Sequence, residues 1–102
     1  QFTQAHIGPC ISQQNYEVGK NVFDAFYKLN LELDTIFTSA KNNDKFMCDI
    51  ADANRQLLIK SGLSEDNIII SGECTYDNAE RYYSARRDGF NTGRMVSGIV
   101  LI

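Results

Sequence analysis

The sequence predicts an α+β fold, a mixed β-sheet with helices packed on it, and three observations carry that expectation. An apolar stripe at helical spacing runs through Tyr16 to Leu29, and a second covers Cys48 to Ser61. The β-branched run Ile68, Ile69 and Ile70 stands between polar turn residues and reads as a strand buried on both faces. Helices alternating with apolar strands pack in layers. The Tyr76 to Tyr83 region and the last strand leave room for antiparallel pairing, which makes the sheet mixed.

The elements follow in order. Phe2 to Ile7 reads as a strand, and the Gly8-Pro9 pair turns the chain after it. Val18, Val22, Phe23, Phe26 and Leu29 place one stripe of the first helix against a core. From Leu31 to Phe37 the pattern fits a short strand and a continuation of helix equally well. Lys41 to Lys45 is a polar loop. The second helix turns Ile50, Asn54, Leu57 and Leu58 to one side, and Gly62 is placed to end it in the left-handed cap conformation. Ser64 to Asn67 is a turn, the isoleucine strand follows, and after an arginine-rich turn Val96 to Ile102 forms the last strand.

Strands at both bare ends need neighbours for their hydrogen bonds and apolar faces. About three strands would leave edges and faces uncovered. The sequence is therefore expected to be a single partial domain over residues 1–102, completed by a missing segment or by a second copy. With 43% hydrophobic and 23% charged residues it belongs among soluble globular chains, and no window approaches the roughly 18 apolar residues of a membrane span. A net charge of -3 and a pI near 5.0 argue against a nucleic-acid partner held through phosphate contacts. Three cysteines, Cys10, Cys48 and Cys74, without a CxxC pair point to free thiols in a reducing compartment such as the cytoplasm.

The segment richest in chemistry is Tyr82 to Arg94, YYSARRDGFNTGR. Arg86, Arg87 and Arg94 offer planar donor forks suited to phosphate or carboxylate, and Gly89 and Gly93 let backbone approach a ligand. Surface ion pairing with Asp88 or Glu80 accounts for the same arginines equally simply. Cys10, in IGPCI, falls at the carboxyl end of the first strand, a position where ligands are often met, and is a candidate pocket-lining residue. A catalytic thiolate needs a base, and the single histidine, His6, lies four residues upstream, about 13 Å along an extended strand. No catalytic residue is assigned on this basis. Spacing assembles no metal site either. Asp49 and Asp52 are assigned a favourable interaction with the helix dipole and nothing further. Tyr16, Tyr76, Tyr82 and Tyr83 fit half-buried packing better than stacking on a base.

Taken together, IGPCI followed by NYEVG, the helical DIADANRQLL, and the ordered run ECTY, YYSARRDG and TGRM resemble the laccase-domain family across nearly the whole chain. Its members carry the names multicopper polyphenol oxidoreductase, purine nucleoside phosphorylase and adenosine deaminase. The resemblance implies the C-terminal half of a layered α/β sandwich domain. It also implies that the family's metal centre, zinc or copper bound by two histidines and a cysteine, comes from segments upstream of the IGPC turn, so that this chain alone assembles none and is inactive by itself. Cys10 matches the turn and not the metal-binding cysteine.

The resemblance thus implies an intact protein acting on a purine nucleoside and phosphate, to which these residues contribute scaffold and an anion-binding arginine loop. Two other readings stay open. One is a non-enzymatic module that pairs its exposed strands with a partner or with itself. The other is a cysteine hydrolase using Cys10 with His6.

Overall fold

The first and last strands among the described residues lie side by side and run in the same direction. In the computed structural model, which describes residues 4–42, 44–78 and 80–89, β1 (Ala5–Ile7) pairs in parallel with β5 (Ile68–Ile70). Ala5, His6 and Ile7 stand opposite Ile68, Ile69 and Ile70. The ladder continues beyond the strands. Ser71 N donates to the Ile7 carbonyl at 2.8 Å, and past the Gly8-Pro9 turn Cys10 forms a single parallel bridge with Cys74.

A second, antiparallel sheet is inserted between these strands in sequence. It has the order β2 (Glu17–Gly19), β4 (Lys45–Cys48), β3 (Phe37–Ser39). Val18 stands opposite Phe46, and Phe37 opposite Cys48. Among the described residues the mixed α+β class is therefore realised as one parallel pair and one antiparallel sheet.

Helix α1 (Lys20–Tyr27) covers this sheet. Val18, Ile36, Phe37, Cys48 and Ala53 are buried together, with Tyr16, Val22, Phe23, Phe26 and Phe46 packed against them. Phe23 stacks on Phe46 at 4.6 Å between ring centroids and tilts against Phe37 at 5.0 Å, an arrangement that adds to simple burial. Helix α3 (Ile50–Lys60) turns Ala53 into this core and packs against both β1 and β5. Asp49 caps its start by accepting from Asp52 N at 3.0 Å. At its end Gly62, at φ +112°, donates to Ile59, and Leu63 donates to Leu58, the paired bonds of a Schellman cap.

Several boundaries differ from the sequence pattern, each for a physical reason. The first helix starts at Lys20 and not at Tyr16, because Glu17 to Gly19 are drawn into the ladder with β4 and Gly19 is extended at φ -83°, ψ 172°. Leu31 to Phe37 resolves into a one-turn helix α2 (Leu33–Ile36) that runs straight into β3. The second helix starts at Ile50, because Phe46 to Cys48 form a strand that the adjoining helical pattern concealed. On α3, Asn54 and Leu57 are exposed and do not face the core. Leu29 is likewise exposed beyond the end of α1.

The isoleucine strand is not buried on both faces within this chain: Ile69 is 46% and Ile70 42% exposed. From Tyr76 to Tyr83 the described residues form turns rather than a strand. The expected final strand Val96 to Ile102, and Phe2 and Thr3 of the first, lie outside the described residues.

Candidate substrate cleft and arginine turn

The carboxyl ends of β1 and β5 open into a cleft of about 370 Å³, within the size range of small-molecule sites. Gly8, Cys10 and Ser12 form one side, Asp49 and Asp52 at the start of α3 another, and Glu73 a third. The position follows from topology. Both parallel strands end here, and α3 begins here, so loop backbone and side chains converge where strands stop.

Asp52 is held by three neighbours. Thr35 Oγ1 donates to its Oδ2 at 2.7 Å, Gln56 Nε2 to Oδ2 at 2.9 Å, and Arg55 Nε to Oδ1 at 3.0 Å. Burial works to raise its carboxyl pKa, but these bonds and the Arg55 charge outweigh it and hold the group below the ordinary carboxylate value. Arg55 also reaches Glu65 at 3.0 Å, and Gln56 bonds the backbone of Glu32, so the acid anchors α2 to α3. The expectation of a mere dipole partner understated it. The spacing Asp49-x-x-Asp52, a cap followed by an acid three positions on, was the available signal.

Cys10 lines this cleft and also a neighbouring one that includes His6, Leu57 and Leu58. Burial raises the Cys10 thiol, and the nearby charges of Asp49 and Cys74 raise it further. That is the opposite direction from the lowered pKa of an activated nucleophile and weighs against the hydrolase reading. Cys48 is fully buried and its pKa is pushed up to about 11, mainly by burial.

The arginine turn begins at the buried Ser84, whose hydroxyl accepts from Arg87 N at 3.4 Å and starts the one-turn helix α4 (Ala85–Asp88). Gly89 then takes φ +80°, a conformation side chains avoid. Arg87 points inward. Its Nη1 donates to the carbonyls of Thr75 at 2.8 Å and Tyr76 at 3.0 Å, Nη2 to Tyr82 at 2.9 Å and Asp88 at 2.7 Å, and Nε to Asp88 at 3.1 Å. A guanidinium has five N–H donors, and these contacts occupy them all. Arg86 points outward, with its guanidinium 4.9 Å over the Tyr16 ring and Nη1 3.0 Å from the Glu17 carbonyl.

The adjacent arginines are thus separated into an inner clamp and an outer cation. Of the two ion-pair partners weighed from sequence, Asp88 is the one Arg87 takes, and Arg81 bonds Glu73 at 2.8 Å. Arg94 lies outside the described residues. Among the described residues, no group of three or more histidine, cysteine, aspartate or glutamate side chains is placed to hold a metal ion, and no helix is long and apolar enough to cross a membrane.

The chain is 34% identical over 97 residues to a purine nucleoside phosphorylase of Bacteroides thetaiotaomicron, covering 95% of this chain and 36% of that protein. It is 38% identical over 96 residues to adenosine deaminase RL5 of an unknown prokaryotic organism, covering 94% of this chain and 37% of that protein. The crystal structure of the Bacillus licheniformis hypothetical protein YfiH superposes with a TM-score of 0.77 at 31% identity, over 82% of this chain and 32% of that one. The chain therefore spans little more than a third of the length of these relatives. The family pattern described as multi-copper polyphenol oxidoreductase laccase matches residues 1–102, and with sequence relatives and fold in agreement, the chain belongs to that family.

Proposed function

We propose that these residues are the C-terminal part of a laccase-domain protein that acts on purine nucleosides, and that they supply one wall of its substrate cleft together with a cationic turn for an anion such as phosphate. The cleft at the ends of β1 and β5 is the observation that carries this reading. It has the volume of a small-molecule site, and the IGPC turn, through which the chain resembles the family, forms its side. The names of the relatives, phosphorylase and deaminase, support the substrate class.

Within that reading Arg86 is the outward donor and Arg87 holds the turn, since phosphate could engage Arg87 only by displacing one of its carbonyl or carboxylate partners; Arg94 is carried as a further anion donor from its sequence alone. Cys10 lines the pocket as a small, protonated thiol. Zinc or copper belongs, on this reading, to the intact domain, and among the described residues no group of three or more histidine, cysteine, aspartate or glutamate side chains is placed to hold it. The three free thiols of this chain support a cytoplasmic setting for the intact protein.

The test is phosphorolysis and deamination by the intact protein. Release of free purine base from inosine that requires phosphate, or conversion of adenosine to inosine, is the expected result; neither activity with any purine nucleoside would overturn the proposal. The exposure of Ile69 and Ile70 favours one other reading, a module that pairs its strand faces with a partner. A monodisperse monomer by light scattering would count against it.

A further inference from the structure

The β1–β5 register, carried on unchanged, would set Cys10 opposite Glu73; one extra residue between Ile70 and Cys74 shifts the pairing, and an isolated parallel bridge sets Cys10 and Cys74 side by side, 64 positions apart in sequence. Cys10 N donates to the Glu73 carbonyl at 3.3 Å and Thr75 N to the Cys10 carbonyl at 3.1 Å, so the two cysteines are direct partners on adjacent strands. Adjacent strands lie about 4.8 Å apart, inside the Cα separation of roughly 4.4–6.8 Å that a disulfide spans. Partners in register also project to the same face of a ladder.

Their surroundings differ in a useful way. Cys74 Sγ accepts from Ser12 N at 3.2 Å and from Asn15 Nδ2 at 3.5 Å. Burial raises this thiol, yet the bonds from Ser12, Asp77 and Asn15 outweigh it and leave the pKa below the ordinary cysteine value. Cys10 is shifted the other way, and part of its shift comes from the charge on Cys74, which puts the two sulfurs within electrostatic reach. One sulfur is thus favoured as thiolate while the other stays protonated beside it. Cys10 is half-buried and borders the cleft, whereas Cys74 is buried at 8% exposure, so a small oxidant reaches the pair from the Cys10 side.

We propose that Cys10 and Cys74 form a peroxide-responsive dithiol, with Cys74 the sulfur oxidised first and Cys10 the resolving thiol. The Cys74 thiolate attacks hydrogen peroxide, giving Cys74 sulfenic acid and hydroxide. The Cys10 sulfur then attacks the Cys74 sulfur, its proton leaves with the sulfenic oxygen as water, and a disulfide closes; the sum is two thiols and one peroxide giving one disulfide and two waters. Closing the bond takes Cys74 Sγ away from Ser12 and Asn15 and so loosens the turn that forms the cleft side. The proposal is independent of the nucleoside reading, because it concerns the thiols alone.

The test is peptide mapping by mass spectrometry of the intact protein, treated with hydrogen peroxide and then alkylated. The expected result is a Cys10–Cys74 cross-linked peptide pair, two hydrogens lighter than the sum of the reduced peptides, with Cys48 still alkylated. In Cys10→Ser, Cys74 should be trapped by dimedone or carry two added oxygens as sulfinic acid; in Cys74→Ser, Cys10 should remain alkylatable at the same dose. Recovery of both cysteines alkylated from the wild-type protein, at a dose that oxidises free cysteine, would overturn the proposal whatever the variants do. So would a bridge that includes Cys48.

Discussion

The Arg87 guanidinium meets the Thr75 carbonyl at 2.8 Å and so ties the arginine turn to the strand segment that carries Cys74. Thr75 is itself buried, and its amide is spent on Cys10, so the clamp fastens the turn to the parallel ladder rather than to a loose loop. Arg87→Ala would strand the carbonyls of Thr75, Tyr76 and Tyr82. Hydrogen bonds to a charged group contribute about 1.5–3 kcal/mol each, and partial rehydration of the exposed rim lowers the sum. The expected result is a loss of stability, read as a lower urea midpoint. Arg87→Lys should recover little of it, because an ammonium lacks the planar fork that reaches several carbonyls at once. Full recovery by lysine would show that charge alone, not the fork, holds the turn.

Arg86 should behave in the opposite manner. It is exposed, and its contact with Tyr16 is the kind of cation–π pair that contributes about 0.5–1 kcal/mol at a surface. Arg86→Ala is therefore expected to cost about 1 kcal/mol of stability and, on the proposed function, to raise the phosphate KM of the intact protein about tenfold, the loss of one charge-assisted bond. Steady-state phosphorolysis at varied phosphate measures this. An unchanged KM would remove Arg86 from the anion site and leave it a surface cation.

These two neighbours also show what the sequence makes legible. The pattern Arg86-Arg87 announces donor forks, and the serine two positions before Arg86 together with Gly89 announces a turn, but nothing local says which arginine faces inward. That choice is made by the carbonyls of Thr75 and Tyr76, which only the ladder brings close. The same limit hid β4: Phe46 to Cys48 read as apolar residues leading into a helix, because the pairing with β2 and β3 that makes them a strand involves residues far away. Where the signal is local it could be read directly, as at the isoleucine strand and Gly62. The Cys10–Cys74 adjacency has no local signature, since it depends on an isolated bridge one residue out of step with the β1–β5 ladder, between segments far apart in sequence.

Gly62 offers a clean test of a local rule. A Cβ built there meets nothing within 4 Å, so any cost of Gly62→Ala comes from backbone conformation and not from a clash. At φ +112° an L-residue is strained, and the Schellman bonds to Ile59 and Leu58 hold the backbone there. The variant should lose about 1 kcal/mol in chemical denaturation. Unchanged stability would mean that the cap relaxes to a right-handed end without cost.

Asp52 predicts an acid dependence whose sign is fixed. Its folded-state pKa lies below the ordinary value of 3.8, because Thr35, Gln56 and Arg55 favour the carboxylate more than burial disfavours it. A group lowered on folding binds its proton more readily when unfolded, so its stabilisation is fully present above 3.8 and is lost as the pH falls from there through the folded value. Urea midpoints measured from neutral pH downward should therefore drop across that window. In Asp52→Asn the Thr35 and Gln56 donors face an amide that accepts less well, and the Arg55 ion pair is gone. That variant should be about 1–3 kcal/mol less stable at neutral pH and should show a shallower decline into acid, since the group that titrates has been removed. Parallel acid profiles for the two proteins would locate the titration elsewhere and reduce Asp52 to a neutral hydrogen-bond acceptor between α2 and α3.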